Sequence, residues 1–284
     1  MSDALRVGIP SKGRLAEQAE TLLQQAGLRF RRQARSLFAR ASELPLDITF
    51  LRTDDIPVLC AEGAIDLGIT GSDLVAESGV EVETRLPLGV GRCRLAICVP
   101  DEGDVASPVE LAGHRIASSF PRITQDYFSS LGLDVHLVPL SGSVEIMISL
   151  GVADAIVDLV ETGSTLAANK LRILAEIGRY ETVLIQNRER RHAEVADRVV
   201  RRVEGVVIAR EYSLLEYNVP REKLAEAERV APGFHSPTVS QLEDSSWCAV
   251  RVMVKRSEVI TVMEQLELLG ATAVLETPIT NCRL

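Results

Sequence analysis

The most informative part of the sequence includes residues 155–166, which read Ala-Ile-Val-Asp158-Leu-Val-Glu161-Thr162-Gly163-Ser164-Thr165-Leu166. The apolar run at 155–159 predicts a buried strand, and the hydroxyl residues around the glycine predict a turn that opens a helix. Backbone N–H groups at a helix start, together with Ser and Thr hydroxyls, suit a phosphate. No lysine follows the glycine, so the turn is not a Walker loop. Residues 155–166 therefore favour a phosphate site.

Asp158 stands beside this turn, near the end of the apolar strand. A carboxylate repels a phosphate, so it fits there only if it accepts hydrogen bonds from sugar hydroxyls or helps to hold Mg²⁺. Phosphate together with ribose is therefore the favoured ligand. The alternative is purely structural, a strand that ends in helix-capping Asp158 and Thr162.

Short apolar runs alternate with helix-period stretches on both sides of this segment, which is the pattern of strands joined by crossover helices. Further strands are predicted at 5–9, 47–51, 66–70, 94–100, 115–118 and 135–139. Helices are predicted at 15–26, 56–62, 73–77, 124–131 and from Ser143 onward. A polar helix at 188–203 and a strand at 205–209 then return the chain to the first lobe. We expect two α/β lobes with a ligand cleft between them, like those of periplasmic binding proteins.

The residues from Tyr212 onward have a different order of elements. Strands are predicted at 214–219, 237–241, 248–255 and 271–276, and helices at 221–230 and 257–269. This βαββαβ order predicts a ferredoxin-like domain. The predicted boundaries are 1–94 with 188–211 for lobe I, 95–187 for lobe II, and 212–284 for the C-terminal domain.

The composition limits the partners of the chain. Its 284 residues carry a formal net charge of −9, with 46% apolar and 25% charged residues, which is typical of a folded protein. The negative total argues against nucleic acid or an anionic membrane as the main partner. Five scattered cysteines without a Cys-x-x-Cys pair, and the lack of an apolar run of signal or membrane-span length, predict a cytoplasmic protein.

Residues 145–166 resemble the signature of ATP phosphoribosyltransferases, the enzymes that open histidine biosynthesis. The matching residues are Glu145, Gly151, Ala153, Ile156, Asp158, Leu159, Thr162, Gly163, Thr165 and Leu166. Similar stretches lie at 10–15, 51–56, 66–73, 116–121 and 232–239. With its C-terminal domain, the chain resembles the long form of the family, in which a regulatory domain follows a two-lobed catalytic part.

The resemblance implies transfer of the phosphoribosyl group of phosphoribosyl pyrophosphate to N1 of ATP, with release of pyrophosphate. The implied catalytic residues are Lys12, Arg52, Glu145 and Asp158. The implied substrate-binding residues are Arg14, Asp73, Phe120, Glu161, Thr162, Gly163, Ser164, Thr165 and Leu166. The implied cofactor is Mg²⁺, held mainly by substrate phosphates with Glu145 or Asp158.

Several of these residues have a second interpretation that the sequence leaves open. Lys12, Arg14 and Arg52 each follow a predicted strand, where they could neutralise anionic substrates, yet single cations are usually solvated surface groups. Asp73 fits a helix N-cap as well as a substrate role. Phe120 fits core packing as well as stacking on a base.

The resemblance also implies regulation by the end product of the pathway. Histidine would bind the C-terminal domain at Asn218, Thr238 and Ala273 and inhibit a homo-oligomer, with dimers and hexamers expected. Prephenate dehydratases, which are built in the same way, would show a Thr-Arg-Phe run that this sequence lacks. A solute receptor would need a secretion signal, and a transcription regulator would need a DNA-binding segment. Neither feature is visible in this sequence, so both alternatives are disfavoured. An intact 162–166 loop argues against a catalytically dead member.

Overall fold

A computed structural model describes residues 4–33, 36–161 and 163–283. The chain divides into two compact units. The first unit comprises residues 1–21 and 29–200, and the second comprises residues 22–28 and 201–284. Across the described ranges, no helix combines the length and the apolar character that a bilayer crossing requires.

Strands and helices alternate through the first unit, as the sequence predicted. Over the two units together, the strands in chain order are β1 (Leu5–Pro10), β2 (Phe38–Arg40), β3 (Leu46–Leu51), β4 (Leu67–Gly71), β5 (Glu83–Pro87), β6 (Cys93–Pro100), β7 (Arg115–Ser118), β8 (His136–Pro139), β9 (Ala155–Val160), β10 (Leu171–Tyr180), β11 (Thr182–Gln186), β12 (Tyr212–Pro220), β13 (Thr238–Gln241), β14 (Trp247–Lys255) and β15 (Thr272–Pro278). The α-helices are α1 (Arg14–Gln25), α2 (Ile56–Ala61), α3 (Ser72–Ser78), α4 (Pro121–Ser130), α5 (Ser164–Ala168), α6 (Ala193–Glu211), α7 (Leu224–Val230) and α8 (Val259–Leu268).

The first unit contains two sheets, which define lobe I and lobe II. The sheet of lobe I has the order β2-β3-β1-β4-β11-β5, and β1 lies parallel to both β3 and β4. The sheet of lobe II has the order β10-β6-β9-β7-β8, and β7 lies parallel to both β8 and β9. This two-lobed α/β architecture of the periplasmic-binding-protein type confirms the fold that the alternation predicted.

The chain crosses between the lobes twice, and the two crossings are hydrogen-bonded to each other. The N–H of Leu88 donates to the carbonyl of Thr182 at 2.9 Å, and the N–H of Thr182 donates to the carbonyl of Val90 at 3.0 Å. The lobes are therefore joined by a short two-stranded connection beside the cleft.

The return to lobe I comes earlier than the sequence predicted. The boundary at 187 assigned residues 182–186 to lobe II, but β11 lies in the sheet of lobe I, antiparallel to β4 and β5. The physical reason is burial, because Val183, Leu184 and Ile185 are all less than 5% exposed there. No strand was predicted for this apolar run.

The predicted strand at 205–209 is wrong, because these residues continue helix α6. Val199, Val203, Val206 and Ala209 are all fully buried, and their spacing of three or four residues is that of one helix face. The valine-rich composition favoured a strand, but the helical spacing of the buried residues decides the structure. The helix predicted from Ser143 is also shorter than expected, a 3-10 turn at Val144–Ile146.

The second unit contains a four-stranded antiparallel sheet of order β13-β14-β12-β15. With α7 and α8 it has the βαββαβ order of a ferredoxin-like domain, as predicted. Alternate residues of β12, namely Leu215, Tyr217 and Val219, belong to one buried cluster with residues of both helices. The other face of the sheet carries the intervening residues, including Glu216 and Asn218.

Candidate functional site

Several strands of the first unit end at one cavity of about 650 Å³. Arg14 lies at the start of α1, just after β1, and Asp73 lies in the first turn of α3, directly after β4. Asp158 and Glu161 come from the end of β9, and the turn into α5 follows them. The carboxyl ends of strands are where open α/β sheets bind ligands.

This cavity brings together most of the residues that the sequence singled out. Those that line it are Arg14, Asp73, Glu145, Asp158, Glu161, Gly163, Ser164, Thr165 and Leu166. Thr162 belongs to the same predicted set but lies outside the described residues. Lys12, Arg52 and Phe120 are the predicted residues that do not line the cavity.

The turn from β9 into α5 has the backbone that its sequence predicted. Gly163 is the N-cap of α5 and has φ +81°, a left-handed conformation that favours glycine. The Ala167 N–H donates to the Gly163 carbonyl at 3.1 Å, which closes the first turn. The side chain of Thr165 is exposed at this turn, where it can meet a ligand.

Asp158 is a half-buried carboxylate on the wall of the cavity. Its Oδ1 accepts a 2.8 Å hydrogen bond from the Leu159 N–H. Burial raises the pKa of Asp158, the Leu159 N–H opposes that rise, and the negative charge of Glu145 adds to it. A bound cation or sugar hydroxyls would relieve this crowding of negative charge.

Asp73 is the second carboxylate of the cavity and is only 7% exposed. Its pKa is raised first by burial and also by the charge of Asp54, against the effect of its own N–H and that of Leu74. A Cβ at Gly71 would lie 2.0 Å from Asp73 Oδ1, so the carboxylate folds back over a position that only glycine can fill. Asp73 thus lines the cavity while bonding to the first turn of its own helix.

The cations that the sequence predicted are divided between the cavity and the surface. Arg14 Nη2 lies 2.6 Å from Glu161 Oε1, so a lobe I cation and a lobe II carboxylate pair across the cleft. Lys12 is exposed, and Arg52 is exposed 4.0 Å from Asp54.

Phe120 packs in the core of lobe II. It is 6% exposed and belongs to a buried cluster with Leu95 and Ile97. Of the two interpretations of Phe120, the structure therefore agrees with core packing.

Several lining residues were not predicted from the sequence, among them Thr53, Gly91, Cys93 and Thr182. Gly91 and Thr182 lie on the two crossings between the lobes, and a Cβ at Gly91 would lie 2.6 Å from Thr182 Oγ1. Burial raises the pKa of the Cys93 thiol to about 11, so this cysteine is a neutral wall residue at neutral pH. Gly89 and Gly91 both have positive φ, so the Gly89-x-Gly91 spacing is a local signal of a turn at this connection.

The metal ligands that the cavity offers are few. Within the described ranges, no group of three or more His, Cys, Asp or Glu side chains is arranged to hold a metal ion. Mg²⁺ is commonly bound by one or two carboxylates together with substrate phosphates. The pair of Glu145 and Asp158 fits that mode, because both line the cavity and the negative charge of Glu145 helps to raise the pKa of Asp158.

A second candidate site lies on the open face of the sheet in the second unit. A cavity of about 390 Å³ there is lined by all three residues that the sequence assigned to an effector, Asn218, Thr238 and Ala273. Glu216 and Arg251 line it as well, and Arg251 Nη2 lies 2.7 Å from Glu216 Oε1. The cavity therefore combines a hydroxyl, an amide and one charge of each sign.

Comparison with protein families decides the class of the chain. The family model described as ATP phosphoribosyltransferase matches residues 52–205, and the model for the C-terminal domain of the same family matches residues 209–281. The chain belongs to the ATP phosphoribosyltransferase family. It is therefore a transferase of the first step of histidine biosynthesis, with the ATP and phosphoribosyl pyrophosphate substrates that this family implies.

Individual ATP phosphoribosyltransferases match along nearly the whole chain. The enzyme from Rhodopirellula baltica is 66% identical over 99% of this chain and 94% of its own length. The enzyme from Saccharopolyspora erythraea is 43% identical over 99% of this chain and 100% of its own. Among solved structures, the ATP phosphoribosyl transferase (HisG:HisZ) complex from Thermotoga maritima aligns with a TM-score of 0.63 at 29% identity, over 72% of this chain and 97% of that one.

Proposed function

We propose that this ATP phosphoribosyltransferase joins the 5-phosphoribosyl group of phosphoribosyl pyrophosphate to N1 of ATP, releases pyrophosphate, and is inhibited by histidine. The observation that carries the catalytic part is the meeting of Asp158, Glu145 and the turn at Gly163 in one cavity. The cavity is large enough for a phosphoribosyl group, since small-molecule sites usually measure about 300–1,000 Å³.

The 5-phosphate would bind the turn that includes Thr162, Gly163, Ser164 and Thr165. The left-handed Gly163 turns the backbone at the start of α5, so that hydroxyl side chains and N–H groups gather at one point. The ribose would then lie over Asp158, whose carboxylate can accept hydrogen bonds from ring hydroxyls. The family match to residues 52–205 includes this whole segment.

The reaction needs electrostatic stabilisation more than a nucleophile. Loss of pyrophosphate from the anomeric carbon builds positive charge on the ribose ring, as in glycoside cleavage. Glu145, Asp158 and Asp73 surround the cavity with negative charge that would stabilise such a ring. The one cysteine of the cavity wall, Cys93, is neutral, and the four histidines of the chain are scattered in sequence.

The departing pyrophosphate would need positive charge from the chain and from the cofactor. We assign Mg²⁺ as that cofactor, held by the substrate phosphates with Glu145 or Asp158, and it would neutralise the leaving group. Arg14 reaches the cavity, whereas Lys12 and Arg52 follow β1 and β3 at the rim of lobe I. Under the proposal, these three side chains would offer positive charge to the two anionic substrates.

Histidine would bind the cavity of the second unit. The Glu216–Arg251 pair offers one charge for each end of a zwitterionic amino acid, and Asn218 and Thr238 offer hydrogen bonds. Ala273 contributes a small side chain at φ +49°, which leaves room above the sheet. We further propose that the chain works in the cytoplasm as a homo-oligomer, with dimers and hexamers.

The reaction is tested by mixing the purified chain with ATP, phosphoribosyl pyrophosphate and Mg²⁺, with a pyrophosphatase to remove one product. A rise in ultraviolet absorbance from N1-substituted adenine supports the proposal. Asp158→Ala and Thr165→Ala should each lower the rate by at least about a hundredfold, as loss of a transition-state contact does. Full activity in both variants would refute the assignment of the site, and no product from the wild-type chain would refute the reaction.

A further inference from the structure

Helix α4 begins without a capping group of its own. Its N-cap residue is Phe120, which makes no side-chain cap hydrogen bond, and Pro121 follows it with no N–H to offer. The N–H of Phe120 itself donates to Ser118 Oγ at 2.9 Å. The N–H groups of Arg122 and Ile123 are the remaining donors of the first turn, and they need a partner from elsewhere.

Glu77 of lobe I supplies that partner to the lobe II helix. Its Oε1 accepts the Arg122 N–H at 2.9 Å, and its Oε2 accepts the Ile123 N–H at 3.0 Å. Hydrogen bonds to a charged acceptor are the strong ones, and a carboxylate at a helix N-terminus also meets the positive end of the helix dipole. The first turn of α4 is therefore satisfied by a residue of the other lobe.

The same junction carries a second contact of opposite charge. Gly79 is the C-cap of α3, and a Cβ built on it would lie 1.9 Å from Arg122 Nη1. The guanidinium of α4 therefore lies against the C-terminal end of α3, where the helix dipole is negative. Each helix places a favourable charge at the end of the other. We call this pair of contacts the clasp.

Apolar packing continues the clasp toward the cavity. Leu74 of α3 packs against the buried lobe II cluster that contains Phe120 and Phe128. Asp73, the neighbour of Leu74, lines the cavity together with Asp158 of lobe II. A shift of α3 against α4 would therefore move one cavity carboxylate relative to the other.

We propose that Glu77 is a positioning residue, which through the clasp holds lobe I and lobe II in the register that assembles the cavity. It lies outside the cavity lining, so it acts through Asp73 and the start of α4. When the lobes separate, the Arg122 and Ile123 N–H groups lose their acceptor. The effect on turnover rests on the proposed function, whereas the effect on the lobes does not.

Amide hydrogen exchange of the full-length chain tests the clasp directly. In Glu77→Ala the Arg122 and Ile123 amides should exchange at least about tenfold faster, because the carboxylate that protects them is gone. Glu77→Gln keeps one acceptor oxygen, so its exchange rates at these two amides should lie between those of the wild-type chain and those of Glu77→Ala. Glu81→Ala is the matched control, because Glu81 is an exposed lobe I carboxylate that pairs with Arg188 instead. The amides of Ile116 and Ala117 in β7 should be unchanged in every variant, which separates a lost clasp from a misfolded lobe.

Kinetics then tests whether the clasp serves the cavity. Glu77→Ala should raise the KM for phosphoribosyl pyrophosphate by about tenfold with little change in kcat, because fewer unliganded molecules hold the assembled cavity. Glu77→Gln should recover part of the loss. A structural role confined to folding would lower the amount of active enzyme and leave KM unchanged.

Each outcome decides part of the inference. Wild-type exchange rates at Arg122 and Ile123 in Glu77→Ala would overturn the clasp. Faster exchange with an unchanged KM would overturn the positioning role. A wild-type chain that makes no product would refute the proposed function, and the exchange experiment would still decide whether Glu77 holds the lobes together.

Discussion

Arg14 and Glu161 form an ion pair across the cleft, with 2.6 Å between Arg14 Nη2 and Glu161 Oε1. The arginine opens α1 in lobe I, and the carboxylate follows β9 in lobe II, before the turn at Gly163. Both side chains are more than half exposed, so the pair contributes little to stability. An arginine that lines the cavity is therefore paired with a carboxylate, and under the proposed function a substrate anion would compete with that carboxylate for Arg14.

Removing this carboxylate should favour anion binding. Glu161→Gln is expected to lower the Kd of phosphoribosyl pyrophosphate by up to about fivefold, since an exposed pair is worth about 0–1 kcal/mol and its loss frees Arg14. Isothermal titration calorimetry measures the change. Glu176→Gln is the matched control, because Glu176 pairs with Arg179 and does not line the cavity. Equal or weaker binding in Glu161→Gln would show that Glu161 does not compete for Arg14.

Asp158 should oppose stability in the unliganded chain while it serves the reaction. Its pKa is raised, so the folded chain holds the proton more tightly than the unfolded chain, and ionisation above the ordinary aspartate pKa of about 4 costs folding free energy. Asp158→Asn should therefore raise Tm at neutral pH and abolish most activity. The gain in Tm should shrink as the pH falls toward about 4, because Asp158 then takes up its proton in the folded chain and begins to take it up in the unfolded chain.

Thermal unfolding between pH 4 and pH 8 measures this effect, with Asp126→Asn, a change at an exposed lobe II carboxylate, as the control. A lower Tm at neutral pH in Asp158→Asn would mean that the carboxylate stabilises the empty site, contrary to the burial argument.

The ion pair of Arg115 and Asp154 should have the opposite dependence on pH. Arg115 Nη2 lies 2.8 Å from Asp154 Oδ1, and Arg115 Nη1 donates to the Gly151 carbonyl at 2.8 Å. The hydrogen bond from Arg115 is the main reason that the pKa of Asp154 falls to about 2. The stabilisation is present above the ordinary pKa of about 4 and is lost as the pH falls toward 2.

Asp154→Asn should therefore lower Tm by a few degrees at pH 7 and make no difference near pH 2. The expected loss is below about 1 kcal/mol, because both side chains are more than a third exposed and solvent screens the pair. Calorimetric melting curves give the answer, with Asp101→Asn at an exposed turn as the comparison. Equal Tm values for the wild-type chain and Asp154→Asn at pH 7 would show that the ion pair of Arg115 and Asp154 does not stabilise the fold.

Much of this architecture could be predicted from the sequence, for reasons that differ between its parts. The buried run of β9 and the glycine turn after it are local signals, and the structure contains both. The strand predicted at 205–209 is wrong because valine favours strands, while the burial that makes these residues helical depends on the rest of the fold. The placement of β11 in lobe I depends on its pairing with β4, which lies more than a hundred residues away in sequence.

The candidate site divides in the same way. Asp158, Glu145 and residues 163–166 belong to one motif, and they line one cavity. Gly91, Cys93 and Thr182 come from the two crossings, which a local motif does not describe. Phe120 was open between packing and stacking because the sequence does not reveal which face of a chain segment becomes the core.

Histidine inhibition should depend on Thr238. Thr238→Val removes the hydroxyl from the wall of the second cavity and should weaken inhibition by about two- to tenfold, the loss expected for one hydrogen bond. The uninhibited kcat/KM should stay the same, because the substitution leaves the first unit unchanged. Initial rates across a histidine titration measure it, with Thr277→Val, at an exposed β15 position, as the control. Wild-type inhibition in Thr238→Val would show that histidine does not use this hydroxyl.

The identity of the product tests the proposed transfer of a phosphoribosyl group to N1 of ATP. The purified chain is incubated with ATP, phosphoribosyl pyrophosphate and Mg²⁺. The new nucleotide is analysed by nuclear magnetic resonance, and the amount of released pyrophosphate is measured. We expect a phosphoribosyl group bonded to N1 of the adenine ring and one pyrophosphate for each product molecule. Attachment at another atom, or hydrolysis of phosphoribosyl pyrophosphate without a new nucleotide, would contradict this proposal.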